Sequence, residues 1–171
     1  MRTEKVIVED YDKSWIDDFA KIKAELESIL GQTALSVEHV GSTSVMGLSA
    51  KPIIDIDVVI DTIADLQDAI KKLEINGYIY EGDLGIADRY AFKYEGKHHL
   101  KTHHLYICPK NSEELHRHIT FRNFLRNHPE AVAEYSRIKK KGAKLYPNNI
   151  EKYIEFKSAC IAKLYKKCGL L

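Results

Sequence analysis

The chain has 171 residues, enough to bury a sizeable core without disulfide or metal staples. Its composition, 44% hydrophobic and 30% charged with nine Gly and four Pro, excludes a disordered, collagen-like or low-complexity polypeptide. The net charge of +1 argues against a strongly basic nucleic-acid binder, yet it averages two unlike parts: residues 1–87 carry 8 Lys and Arg against 17 Asp and Glu, and residues 88–171 carry 18 against 8.

The N-terminal stretch MRTEKVIVED has no apolar signal region, and no later stretch approaches the roughly 18 uninterrupted apolar residues of a membrane span. The expectation is a cytoplasmic protein with no membrane partner. From Asp12, an N-cap residue, the spacing of Trp15, Phe19, Ile22, Leu26 and Ile29 predicts a first helix that ends at Gly31. The β-branched runs 35–40 and 53–60 read as strands, with GSTSVMGLSAKP as the loop between them. Ile63, Leu66, Ile70 and Leu73 mark a second helix over 62–76, stopped by Asn76-Gly77. Shorter strands follow at 78–80, 90–94 and 103–108. Beyond Pro109 the pattern becomes helical, over about 112–127, 130–145 and 149–168, with breaks at His128-Pro129 and Tyr146-Pro147-Asn148. The fold class is α+β: a core over 1–110 and a helical C-terminal part over 111–171. Cys108, Cys160 and Cys168 have no CxxC spacing and read as buried thiols.

The segment Ile53-Ile54-Asp55-Ile56-Asp57-Val58-Val59-Ile60 is apolar enough to be a central strand, so its two acids require a reason. Alternation puts Asp55 and Asp57 on one face, roughly 7 Å apart, where both can grip a divalent cation. Either the acids face water on a half-exposed strand, or they hold metal; Ile53 and Val59 share their face and favour metal. Gly41-Ser42-Thr43-Ser44 follows a strand, and its glycine and three hydroxyls suit a phosphate, although the same residues populate ordinary turns. The loop is not a Walker A motif, because Leu48-Ser49 stands where Lys-Ser/Thr belongs.

Together, a Gly-Ser after one strand and Asp-hydrophobic-Asp-hydrophobic on the next resemble the signature of the DNA polymerase β-like nucleotidyltransferase superfamily. The block from His39 to Ile56, HVGSTSVMGLSAKPIIDI, resembles the GrpB family in particular, as do His104-Leu105-Tyr106-Ile107 and the stretch from Phe121 to Arg126. Three positions depart from that family's pattern: Met46 stands for Pro, Tyr106 for the second His and Asn123 for Asp. The resemblance implies a mixed sheet with flanking helices. It also implies that Gly41 and Ser42 hold the triphosphate of a nucleotide, with Thr43 and Ser44 as phosphate-binding candidates from the loop's own hydroxyls, and that Asp55 and Asp57 bind Mg²⁺ or Mn²⁺ and carry the catalysis. The reaction would transfer a nucleotidyl group to a small acceptor that the sequence does not identify. Similar domains occur fused to dephospho-coenzyme A kinase, so the alternative is a non-catalytic module that binds a nucleotide or a coenzyme A precursor.

Active superfamily members usually add a third carboxylate from a later strand; here that strand carries His103 and His104, with Asp83 and Asp88 in the preceding loop as substitutes. Lys51 and Arg122 are further phosphate-binding candidates, and Arg89 and Arg126 further members of an anion site. His39 and His104 are expected to line the site. Lys157 interrupts an apolar helical stripe and is expected to snorkel. Zinc is not expected, because the histidines at 98, 99, 103, 104, 116 and 118 lack ligand spacing. The run Lys139-Lys140-Lys141 reads as a solvated helical face. RNA is the weaker partner, favoured by the basic C-terminal part alone, since the stacking motifs of RNA-binding modules are absent.

Overall fold

A computed structural model describes residues 5–171. Helix α1 (Ser14–Leu30) starts where Asp12 Oδ1 accepts the Ser14 N–H and ends at Gly31, whose φ of 54° a side chain would resist. Strand β1 (Ser36–Val40) enters a single 3₁₀ turn over Ser42–Ser44, and strand β2 (Ile54–Ile60) follows the loop. The expected second helix begins as a 3₁₀ turn, with Thr62 and Asp65 forming a capping box, and continues as α2 (Leu66–Ile75). Strands β3 (Tyr78–Gly82), β4 (Tyr90–Tyr94) and β5 (His103–Pro109) complete the sheet. Helices α3 (Glu113–Arg126), α4 (Pro129–Leu145) and α5 (Ile150–Lys167) follow, with Ser112 and Asn149 capping α3 and α5 through their side chains. Among the described residues, no helix is long and apolar enough to cross a membrane.

The five strands lie in the order β1-β2-β5-β4-β3. Only β2 and β5 run parallel; β1 pairs with β2, β4 with β5 and β3 with β4 antiparallel. The chain is therefore α+β, a mixed sheet with flanking helices. Alternation along β2 sends Ile54, Ile56, Val58 and Ile60 to one face, where they bury against Trp15, Ile22, Leu26 and Leu30 of α1 and Ala69 and Leu73 of α2. The opposite face carries Asp55, Asp57 and Val59 of β2 beside His104, Tyr106 and Cys108 of β5. A second apolar cluster ties the loop to the C-terminal helices: Val45 and Leu48 pack with Leu125, Val132, Tyr135 and Leu164. That cluster brings α3, α4 and α5 over the acidic face. At the α4–α5 contact, a Cβ at Gly142 would lie 2.8 Å from the Phe156 ring, so glycine permits the close approach.

Candidate functional site

Strand β1 delivers the loop at Gly41, whose φ is 73° and whose Cβ, were there one, would stand 2.4 Å from Asp55 Oδ2. Only glycine fits there. Ser44 then closes the turn on the Gly41 carbonyl, through its backbone N–H at 3.1 Å and its hydroxyl at 2.5 Å. Thr43 is held from behind by His39 Nε2 at 2.8 Å, and the His39 ring stacks on Phe19 with 4.5 Å between centroids. Burial first, then the Arg126 and Arg122 guanidiniums, pull the His39 imidazole down to about 4, so it is neutral at pH 7. His39 therefore buttresses the loop and lines neither of the cavities beside it. Arg126 Nε donates to the Ser44 carbonyl at 3.0 Å, and Arg122 Nη1 donates to Glu38 Oε2 at 2.9 Å and to the His39 carbonyl at 3.0 Å. Both arginines thus clamp β1 and the turn to α3.

Asp55 and Asp57 share a face, as alternation requires, but their surroundings differ. Asp57 is fully buried; its Oδ2 meets His118 Nδ1 at 2.6 Å, and His118 Nε2 meets Glu114 Oε1 at 3.2 Å. Burial alone would depress the His118 imidazolium, but the Asp57 hydrogen bond and the charges of Asp57 and Glu114 outweigh it and hold the group above its ordinary value. Burial pushes the Asp57 carboxyl up, against the pull of His118. Its second oxygen, Oδ1, is buried with no hydrogen-bond partner. Asp55 is a third exposed, and its Oδ1 lies 3.0 Å from His104 Nδ1, while His104 Nε2 is buried and unpartnered. The strand register sets His104 opposite Asp55 and Tyr106 opposite Asp57, with Arg89 Cζ 4.3 Å above the Tyr106 ring. Among the described residues, no three His, Cys, Asp or Glu side chains converge as a metal cluster. Asp83 and Asp88 are exposed and line neither cavity; Asp83 accepts the N–H of Gly85 in its own loop. The remaining histidines scatter: His103 bonds Tyr78 in the core, and His99 pairs with Glu25.

The lysines give a result the sequence did not anticipate. Lys139 is only 4% exposed, whereas Lys140 and Lys141 are in solvent. Its Nζ donates to Ser42 Oγ and, at 3.2 Å, to the Ser49 carbonyl, and lies 4.4 Å over the Tyr135 ring. Burial first, then Lys157 and Lys51, push the ammonium well below its ordinary value. Lys157 is pulled down to about 8, by burial and then by Lys51, and sits 4.4 Å over the Tyr153 ring. Lys51 stands 5.5 Å over the same ring. All three lysines line a cavity of about 170 Å³ whose wall includes Ser42, Asp55 and His104. Lys157 points at this cavity instead of snorkelling. Helical periodicity held a signal for Lys139, since it continues the buried stripe of Val132, Tyr135 and Gly142 on α4. Nothing in spacing marks His118 or Glu114 as partners of Asp57.

The GrpB protein family model matches residues 5–167. The chain belongs to the GrpB family. The crystal structure of a conserved GrpB from Enterococcus faecalis superposes with a TM-score of 0.82 at 37% identity, over 95% of this chain and 96% of that one. UPF0157 protein YqkA of Bacillus subtilis (strain 168) is 33% identical over 95% of this chain, which spans 49% of that relative's length. The Cid1 poly(U) polymerase bound to MgATP superposes with a TM-score of 0.56 at 14% identity, over 79% of this chain and 44% of the other. That likeness shows a nucleotidyltransferase-like fold for this GrpB chain.

Proposed function

We propose that this chain binds the triphosphate of a nucleoside triphosphate in the lysine-lined cavity, together with Mg²⁺ or Mn²⁺ at Asp55 and Asp57, and transfers the nucleotidyl group to a small acceptor. The carrying observation is the charge of that cavity: Lys51, Lys139 and Lys157 converge on it with Asp55 as the carboxylate in its wall. Burying ammonium groups together is costly, and a polyanionic ligand removes the cost. The Ser42 hydroxyl, reached by Lys139, stands at the same wall to meet a phosphate oxygen.

The residues fit the metal. The buried, unpartnered Asp57 Oδ1 is an oxygen ligand in waiting, and two carboxylates suit an ion that completes its shell from water and substrate phosphates. Bound there, the ion would offset charge on the transferring phosphate. Asp55 and Asp57 would hold it; Ser42 and the lysines would bind and orient the phosphates; Gly41 keeps the backbone close to Asp55. A second reading, a nucleotide- or coenzyme A-precursor-binding module without transfer, is favoured by His104 and Tyr106 standing on β5 where a third carboxylate would be.

A thermal-shift panel of nucleoside triphosphates with Mg²⁺ or Mn²⁺ tests the binding step, because stabilisation grows with the logarithm of ligand concentration over Kd. Wild type is expected to shift, and Asp55→Asn and Lys139→Met to lose most of the shift. An unmoved wild type, or variants that shift equally, would sink the proposal. Pyrophosphate release on adding acceptors then separates transfer from binding.

A further inference from the structure

The lysine cavity has a neighbour. Ser42, Asp55 and Tyr135 also line a second cavity of about 200 Å³, which α3 and α5 wall with Phe121 and Tyr165 and which Arg117, His118 and Arg122 enter. The two cavities flank Asp55, and their charge differs. In the second, His118 sits between Asp57 and Glu114, and Arg122 is committed to Glu38 and the His39 carbonyl. Arg117 is the exception: its side chain is 46% exposed and its ion-pair contact, with Glu114, is at 4.0 Å from Nε. Its guanidinium fork is available at the rim, above aromatic walls in which Phe121 and Tyr165 meet edge to face at 4.8 Å.

Phosphoryl-group displacement keeps the attacking and leaving oxygens roughly in line. With the leaving phosphates among the lysines and the transferring phosphorus beside Asp55, the nucleophile has to arrive from the opposite side, where the second cavity opens. We propose that this cavity is the acceptor site, and that its ligand is a small hydroxyl compound with a carboxylate or phosphate at its other end. The anion docks on Arg117, the body lies against Phe121 and Tyr165, and the hydroxyl points to Asp55. A volume of about 200 Å³ with two aromatic walls suits a metabolite-sized molecule. In the step itself the hydroxyl oxygen forms the new bond to the α-phosphorus. The bond from that phosphorus to the pyrophosphate bridging oxygen breaks with its electron pair on pyrophosphate, and the hydroxyl proton leaves to water. The inference rests on the nucleotidyl-transfer reading.

The test compares glycerol phosphate, lactate and hydroxyphenylacetate with their neutral counterparts glycerol, propanediol and tyrosol, and with a short oligouridylate. One readout is probe binding, followed by chemical-shift changes on the full chain without nucleotide; the other is label transfer from α-labelled nucleoside triphosphates. Anionic probes are expected to bind and to accept label, and Arg117→Ala to weaken both by about tenfold or more while the nucleotide thermal shift stays at the wild-type size. Neutral probes performing equally, an indifferent Arg117→Ala, or labelling of oligouridylate instead would overturn the acceptor site. Should no nucleotide bind while probe binding still depends on Arg117, the transfer reading fails and a small-anion site stands. A nucleotide shift without any Arg117-dependent probe binding leaves that reading standing and removes the acceptor site.

Discussion

Strand β2 has two faces that obey opposite rules. Toward α1 and α2, Ile54, Ile56, Val58 and Ile60 are fully buried among hydrocarbon, and each contributes to stability by leaving water. Toward α3, α4 and α5, the alternate positions carry Asp55 and Asp57, and the helices laid over them bring a histidine, a glutamate, the buried Lys139 and the half-buried Lys157. Burial there raises one carboxyl, depresses two ammonium groups and leaves Asp57 Oδ1 and His104 Nε2 without partners. One face is built to fold and the other is held in place by it. The same seven-residue strand serves both because its side chains alternate.

The contrast is broken most forcefully from the apolar side. Ile56→Ala removes a fully buried side chain from the centre of the sheet and leaves a cavity under α1 and α2. It should lower the unfolding free energy by about 2–5 kcal/mol in chemical denaturation. If the two faces are separate, nucleotide binding by the surviving folded fraction is unchanged.

Acid comes next, and it acts behind the polar face. His39 titrates near 6.5 in the unfolded chain and is held down to about 4 when folded, by burial first and then by Arg126 and Arg122, with Asp55 pulling the other way. Between those values the unfolded chain binds more protons. The stability from His39 is therefore fully present above pH 6.5 and is lost as pH falls toward 4, by roughly 3 kcal/mol. His118 has the opposite sign: its folded value is raised, so its contribution is present below 6.5 and is lost as pH rises through the folded value. Urea midpoints at pH 7 and pH 4.5 measure the acid limb, which His39→Gln should flatten.

These two experiments also mark what the sequence made legible. The apolar face was plain from alternation, and β4 and the breaks before α4 and α5 fell where local chemistry put them. The polar face was half legible. Asp55, Asp57 and the Gly41 loop stood out because acids and hydroxyls interrupt or follow apolar runs. Their partners did not, because Asp57 and His118 lie 61 residues apart and Lys139 and Ser42 lie 97 apart. Only the placement of α3 and α4 decides such pairings, and that comes from the second apolar cluster, not from any local pattern. The third carboxylate was sought in the loop after β3, whereas the register of β5 against β2 puts His104 and Tyr106 beside the acids.

A smaller effect probes the seam between the faces. At Gly41 a Cβ would stand 2.4 Å from Asp55 Oδ2 on a backbone with φ of 73°. Gly41→Ala should destabilise by about 1–3 kcal/mol through backbone strain. It should also push Asp55 off the cavities it lines, so the nucleotide thermal shift falls by more than the stability loss explains. A variant that loses stability but keeps the full shift would separate the turn from the site.

The last test uses the residue on which local pattern and structure disagree most. Lys140 and Lys141 sit in solvent as a basic run should, but each helical residue turns by about 100°, and that angle carries Lys139 onto the buried stripe of α4. There its ammonium is desolvated, near two other lysines, with hydroxyl and carbonyl oxygens as its hydrogen-bond partners. A methionine of similar length keeps the packing against Tyr135 and removes the buried charge. Lys139→Met should therefore raise the unfolding free energy by about 1–2 kcal/mol, since replacing buried charge with well-packed hydrocarbon is neutral or stabilising. Nucleotide binding should collapse in the same variant. Stability and binding moving in opposite directions is the signature of a group kept for a ligand. If both fall together, Lys139 is a structural strut for the Ser42 turn and the anion site rests on Lys51 and Lys157 alone.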